Sequence, residues 1–135
     1  MLERLAMIRR KRTDNSPFVP SGLIAKTEKG YYYVKGDKRY KLVSSRAAQS
    51  WGLKVINTLE STIKDIKTCG ILGFRDGTLI RDISNQKIYL VSDNKKRNIS
   101  DPDFFKVFPY GKNDIIMVSS KEAACHKEGE PISVY

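Results

Sequence analysis

Most of this sequence occurs twice. A shift of 57 positions places Tyr33-Val34-Lys35-Gly36-Asp37-Lys38-Arg39 on Leu90-Val91-Ser92-Asp93-Asn94-Lys95-Lys96, Leu42 on Ile99 and Trp51 on Phe108. Upstream, with one residue of slippage, Leu23-Ile24 meets Leu79-Ile80; downstream, past a three-residue insertion in the second copy, Val55-Ile56 meets Ile115-Ile116. A period of this length means one supersecondary unit used twice. A unit of about 55 residues lies near the lower size limit for independent stability, so the two copies are expected to share a core.

Each copy opens with an apolar pair and a polar turn, then an alternating aromatic and β-branched run, Tyr31 to Val34 in the first and Ile88 to Val91 in the second. That pattern reads as a β-hairpin. Gly36-Asp37 and Asp93-Asn94 suit tight turns into a third strand, Lys38 to Val43 and Lys95 to Ile99. Ser44-Ser45 can cap a helix over Arg46 to Trp51, and Ser100-Asp101-Pro102-Asp103 can start one over Phe104 to Phe108. Trp51 and Phe108 are then expected to fill equivalent core positions beneath their hairpins. A strand follows, Val55-Ile56 or Ile115 to Val118. In the first copy Leu59, Ile63 and Ile66 recur at helical spacing behind Thr58, and in the second Ser119 and Glu122 have capping-box spacing ahead of a helix through Ala124. Gly70 to Gly77 reads as the link.

The predicted fold class is α+β: two tandem small units, each a hairpin or three-strand element with short helices, preceded by an arm. The boundaries are 1–21 for the arm, 22–76 for unit 1 and 77–135 for unit 2. In the arm Leu2, Leu5 and Ile8 recur at helical spacing, and Arg9, Arg10, Lys11 and Arg12 follow as a basic run. Breaks at Thr13 to Pro17 and Pro20 to Gly22 set this segment apart from the body.

Twenty-five Lys and Arg residues against 15 Asp and Glu give a formal charge of +10, which draws the chain toward any polyanion or acidic protein surface. Besides the arm, the cations gather at the turns as Lys38, Arg39, Lys95, Lys96 and Arg97. Basic residues beside Tyr31, Tyr32, Tyr33 and Tyr40 offer stacking and charge to a single-stranded nucleic acid, although strand tyrosines also serve a core and edge lysines also guard against aggregation. No apolar run reaches the length of a membrane span, and no secretory leader opens the chain, so synthesis and residence in a reducing cytoplasm are expected.

Catalytic signatures are weak. His126 is the only histidine, Cys69 and Cys125 form no paired spacing, and adjacent Cys125-His126 cannot easily aim both side chains at one substrate. The cysteines are expected to be free thiols without a metal, and no cofactor is expected. Asp101 and Asp103, or Asp65 and Asp82, read as helix-start residues and solvated loop charges. Gly70-Ile71-Leu72-Gly73 has the spacing of an RNA-gripping loop but lacks its basic middle.

Lys95-Lys96-Arg97-Asn98-Ile99-Ser100-Asp101-Pro102-Asp103-Phe104-Phe105, then Tyr110, Asp114-Ile115-Ile116, Val118-Ser119 and Gly129-Glu130-Pro131-Ile132, resembles a short module repeated in bacterial surface and secreted proteins and in phage virion proteins. Its usual form is a hairpin ending in a basic pair, a proline-capped aromatic helix and a closing glycine-x-proline-isoleucine. The first copy departs from it with Ser45 for the proline, Ala47-Ala48 for the aromatics and Cys69-Gly70-Ile71-Leu72 at its close. The resemblance implies a non-enzymatic structural part of a phage tail, neck, baseplate or capsid, made in the host cytoplasm. It would dock on other virion proteins, with copies of itself as further partners, and without a membrane. The alternative is a basic nucleic-acid-binding protein.

Overall fold

A computed structural model describes residues 21–134. Unit 1 begins with a three-strand meander, β1 (Leu23–Thr27), β2 (Gly30–Lys35) and β3 (Lys38–Leu42). Gly36 turns β2 into β3 with φ 66°, a conformation open to glycine at little cost. Ser44 then caps α1 (Ser45–Ser50), its hydroxyl accepting from the Ala47 N–H at 3.1 Å. The helix carries the chain over one sheet face to β4 (Val55–Asn57), which pairs in parallel with β1. Residues 58–66 return across the other face to β5 (Lys67–Leu72), parallel to β3. The sheet order is β4-β1-β2-β3-β5.

Unit 2 repeats this path with β6 (Leu79–Asp82), β7 (Ile88–Ser92), β8 (Lys95–Asn98), α2 (Phe104–Val107), β9 (Ile115–Val118), α3 (Ser120–Ala123) and β10 (Lys127–Glu128). Its order, β10-β8-β7-β6-β9, is that of unit 1 with every element exchanged for its counterpart. The register keeps the 57-residue shift at the hairpin, where Lys35 faces Lys38 and Ser92 faces Lys95. It corrects the alignment upstream. Tyr33 faces Ile24 whereas Leu90 faces Leu79, so Ile24, not Leu23, is the counterpart of Leu79. The extra slip arises in the first turn, four residues long between Lys26 and Tyr31 and six between Arg81 and Ile88.

Three local expectations also change. Residues 58–66 form tight turns and not a helix, because Thr62, Ile63 and Ile66 each bond to the carbonyl three residues back. Ile63 and Ile66 are nevertheless buried, against Leu23, Ala25 and Val34. Second, the link is shorter than Gly70 to Gly77, since β5 continues to Leu72. Third, Phe108 is 50% exposed, and Phe104 is the buried ring of α2, set among Phe105, Phe108 and Tyr110. Phe104 stands at the position of Ala47 under the 57-residue shift. Unit 2 therefore buries a large ring there, while unit 1, with only a methyl at that place, uses Trp51, half-buried and stacked on Tyr33 at 5.4 Å.

The units share a core. Ala47 and Val43 of unit 1 and Phe74 of the link pack with Ile80, Tyr89, Val91, Val118, Ala123 and Ile116 of unit 2.

Candidate interaction surfaces

The joint between the units is sealed by a charge. Ser119 and Glu122 form the predicted capping box at the start of α3. The same Glu122 carboxylate reaches 76 residues back in the chain. Its Oε1 accepts from Arg46 Nη2 at 2.6 Å and from the Ser119 N–H at 2.9 Å, and its Oε2 accepts from Arg46 Nε at 3.1 Å and from the Ser44 hydroxyl at 2.6 Å. This is a bidentate pair with a nearly buried acid. Burial alone would raise the Glu122 pKa, but Arg46, the Ser119 N–H and the Ser44 hydroxyl outweigh it and hold the pKa at about 2. The same contact raises the Arg46 pKa.

Next to it His126 is buried, its Nε2 accepting from the Phe74 N–H at 2.9 Å. Nδ1 therefore carries the proton and donates to the Asn94 carbonyl at 2.9 Å. Both ring nitrogens are committed to backbone, and the Cys125 thiol donates to the Glu122 carbonyl at 3.0 Å, so this pair fastens the link to unit 2. Burial pushes the Cys125 thiol up. Cys69 is exposed on β5, and neither cysteine is in a disulfide. Among the described residues no three His, Cys, Asp or Glu side chains are grouped to hold a metal, and no helix is long and apolar enough to cross a membrane. Asp82, expected in solvent, is buried and accepts from the Ser84 hydroxyl and N–H, which lower its pKa.

The predicted basic surface divides. Lys38 and Lys95 are exposed. Arg39 is not a surface cation: it is 7% exposed, its guanidinium lies 4.5 Å from the Tyr32 ring centre, Nε donates to the Ile66 carbonyl and Nη1 pairs with Glu60 at 2.9 Å. It ties residues 58–66 to the sheet, a role the basic run concealed and only the distant Glu60 could have signalled. Lys96 sits 5.3 Å from the Tyr89 ring centre, and Arg97 Nε donates to the Glu130 carbonyl. The arm residues Leu2, Leu5, Ile8, Arg9, Arg10, Lys11 and Arg12 lie outside the described residues.

On unit 1 the strand pairing assembles two rows on the face crossed by α1. Tyr33 faces Tyr40, with ring centres 6.5 Å apart, and Trp51 stacks on Tyr33. One row farther along, Lys35 faces Lys38, which faces Lys67. Tyr32 points to the opposite face and is buried, so the four tyrosines do not form one surface. On the other side of the unit, at the edge of the sheet, Val55, Ile56 and Leu59 are 42%, 41% and 61% exposed.

No protein-family model, curated protein or solved structure matches this chain.

Proposed function

We propose that the protein is a non-enzymatic structural component of a phage virion, in the tail, neck, baseplate or capsid, and that it works by docking on neighbouring virion proteins. The observation that carries this reading is a joint used once inside the chain and left open once on its surface. In unit 2, Ile116 packs against the core cluster that Val43 also joins, and Glu122, bonded to Ser119, meets Ser44 and Arg46 through its carboxylate. The counterparts in unit 1, three residues further offset, are Ile56, Leu59 and Thr62. Among the described residues Ile56 and Leu59 are left 41% and 61% exposed. Stacked repeats cover each other in series, and the terminal one needs a cap or a partner.

A virion neighbour supplies that cover in this reading. Ile56, Leu59 and Val55 give it an apolar contact, and the arm, with Leu2, Leu5 and Ile8 beside Arg9 to Arg12, gives it a second tether suited to an acidic protein surface. The test is mass spectrometry of purified particles, in which the chain should appear at stoichiometric level. Ile56→Glu with Leu59→Glu should leave melting within a few degrees of the parent and abolish incorporation, and deletion of residues 1–20 should do the same. Absence from the particle, or normal incorporation of both variants, overturns the reading.

A further inference from the structure

We propose that the α1 face of the first sheet is a binding site for single-stranded nucleic acid, with bases against the Trp51, Tyr33 and Tyr40 rings and phosphates along Lys35, Lys38 and Lys67. Two separate observations converge on it.

The first is a row of like charge. Lys35, Lys38 and Lys67 lie directly opposite one another on three neighbouring strands, all exposed, and none makes an ion pair among the described residues. Asp37, in the turn between the first two, and Asp65, two residues before the third, are the acids nearest in sequence. Like charges placed opposite in a ladder repel, so the row works against the sheet that carries it. Protection of an edge against aggregation accounts for Lys67 alone, because β2 and β3 are interior strands. Unit 2 keeps the central and edge members, with Lys95 facing Lys127.

The second is what lies beside that row. Two residues back along the same strands, about 7 Å away, Tyr33 and Tyr40 face each other with Trp51 stacked on the first, all three half-buried. Rings fixed by packing and still partly open make a platform for flat bases, and the spacing to the lysines suits the step from base to phosphate. A duplex hides its base faces, so this chemistry selects single strands. The second unit has Leu90 and Arg97 where Tyr33 and Tyr40 stand, and so carries the charge without the platform.

Trp51 is the only tryptophan in the chain, which makes its fluorescence a reporter for this face and not for the basic arm. The experiment titrates the full chain with oligothymidylate of about 15 nucleotides at low salt. Trp51 emission should be quenched saturably, and the logarithm of affinity should fall with the logarithm of salt with a slope of about 2 for three phosphate contacts. Lys38→Glu with Lys67→Glu should weaken the quenching titration at least about tenfold and flatten its slope. Tyr40→Ala should weaken it while leaving the slope in place. Lys95→Glu with Lys127→Glu makes the same charge change on unit 2 and should leave the Trp51 titration nearly unchanged; melting curves show that each variant is folded. The proposal is overturned by absence of quenching, by equal quenching with duplex of the same length, or by equal losses in the two lysine pairs. None of these outcomes bears on incorporation into a particle, which tests the docking reading separately.

Discussion

Replacing Glu122 by alanine should open the joint between the two units, and the structure bounds the cost. The carboxylate has a folded-state pKa of about 2 against an ordinary value of 4.5. At 1.36 kcal/mol per unit, that shift corresponds to about 3 kcal/mol of preference for the charged form in the folded state. Arg46, the main partner, has a side chain 53% exposed and regains water when the pair is broken, so screening reduces the net figure to about 2 kcal/mol. The Ser119 N–H bond of the capping box is already contained in that shift, and the Ser119 hydroxyl still caps the backbone N–H of residue 122 after the substitution. The expected destabilisation is therefore about 2 kcal/mol, or a fall in Tm of about 5–10 °C for a chain of this size. Urea unfolding at pH 7 measures it directly, and a double-mutant cycle with Arg46→Ala should return a coupling of about 1–2 kcal/mol. The pH dependence is a second readout. Because the folded pKa is depressed, the unfolded chain takes up the proton first; the stabilisation is complete above about pH 4.5 and disappears as pH falls through about 2. Glu122→Gln should flatten the stability profile across that interval. A loss below about 0.5 kcal/mol in Glu122→Ala, or an unaltered acid profile in Glu122→Gln, would refute the assignment of this carboxylate as the inter-unit fastener.

Three further outcomes follow from the packing. Phe104→Ala should cost about 3–5 kcal/mol and Phe108→Ala less than about 1.5, read by chemical denaturation, since only the first ring is buried. Gly73→Ala should destabilise by at least about 2 kcal/mol, because a Cβ there lies 2.5 Å from Cys125 Sγ and against His126 Nε2; wild-type stability would show that the link can shift. In the native protein a thiol reagent should modify Cys69 at once and Cys125 only slowly, with both reacting in denaturant; two fast thiols would contradict the burial of the second.

The duplication was legible because side chains on a half-buried strand alternate with period two, so a 57-residue shift that preserves the alternation preserves the strand. The Ser119 and Glu122 capping box was legible for a similar reason, being a signal four residues long. What escaped detection lies at longer range. The Glu122 carboxylate looks complete as a local cap, and nothing near it in sequence announces Ser44 or Arg46. Arg39 sits in a basic turn and reads as a surface cation until Glu60 and Tyr32 are brought to it by the fold. Leu59, Ile63 and Ile66 read as one face of a helix, but a spacing of three to four apolar residues fits a chain of tight turns as well, and the turns bury Ile63 and Ile66 while leaving Leu59 exposed. The Tyr33, Tyr40 and Trp51 grouping needed the β2–β3 register and the seat of α1. The lysine row needed the parallel pairing of β5, a partner 29 residues beyond β3 at Lys38 and Lys67.

That parallel closure also sets the timetable of folding. A meander can form as soon as its turns exist, but β4 and β5 join strands laid down well before them, and such non-local pairings are slow to find because a loop must be closed first. Synthesis runs from the N-terminus, so unit 1 has all five strands when residue 72 is available, while its helix start at Ser44 and Arg46 still waits for an acid 76 residues behind Arg46. Between those two moments the strands of unit 1 exist without the residues that cover Ala47, and the Arg46 guanidinium faces water. Completion of unit 2 ends that interval, because Ala47 is covered and Arg46 is paired only once residues 116–123 are in place.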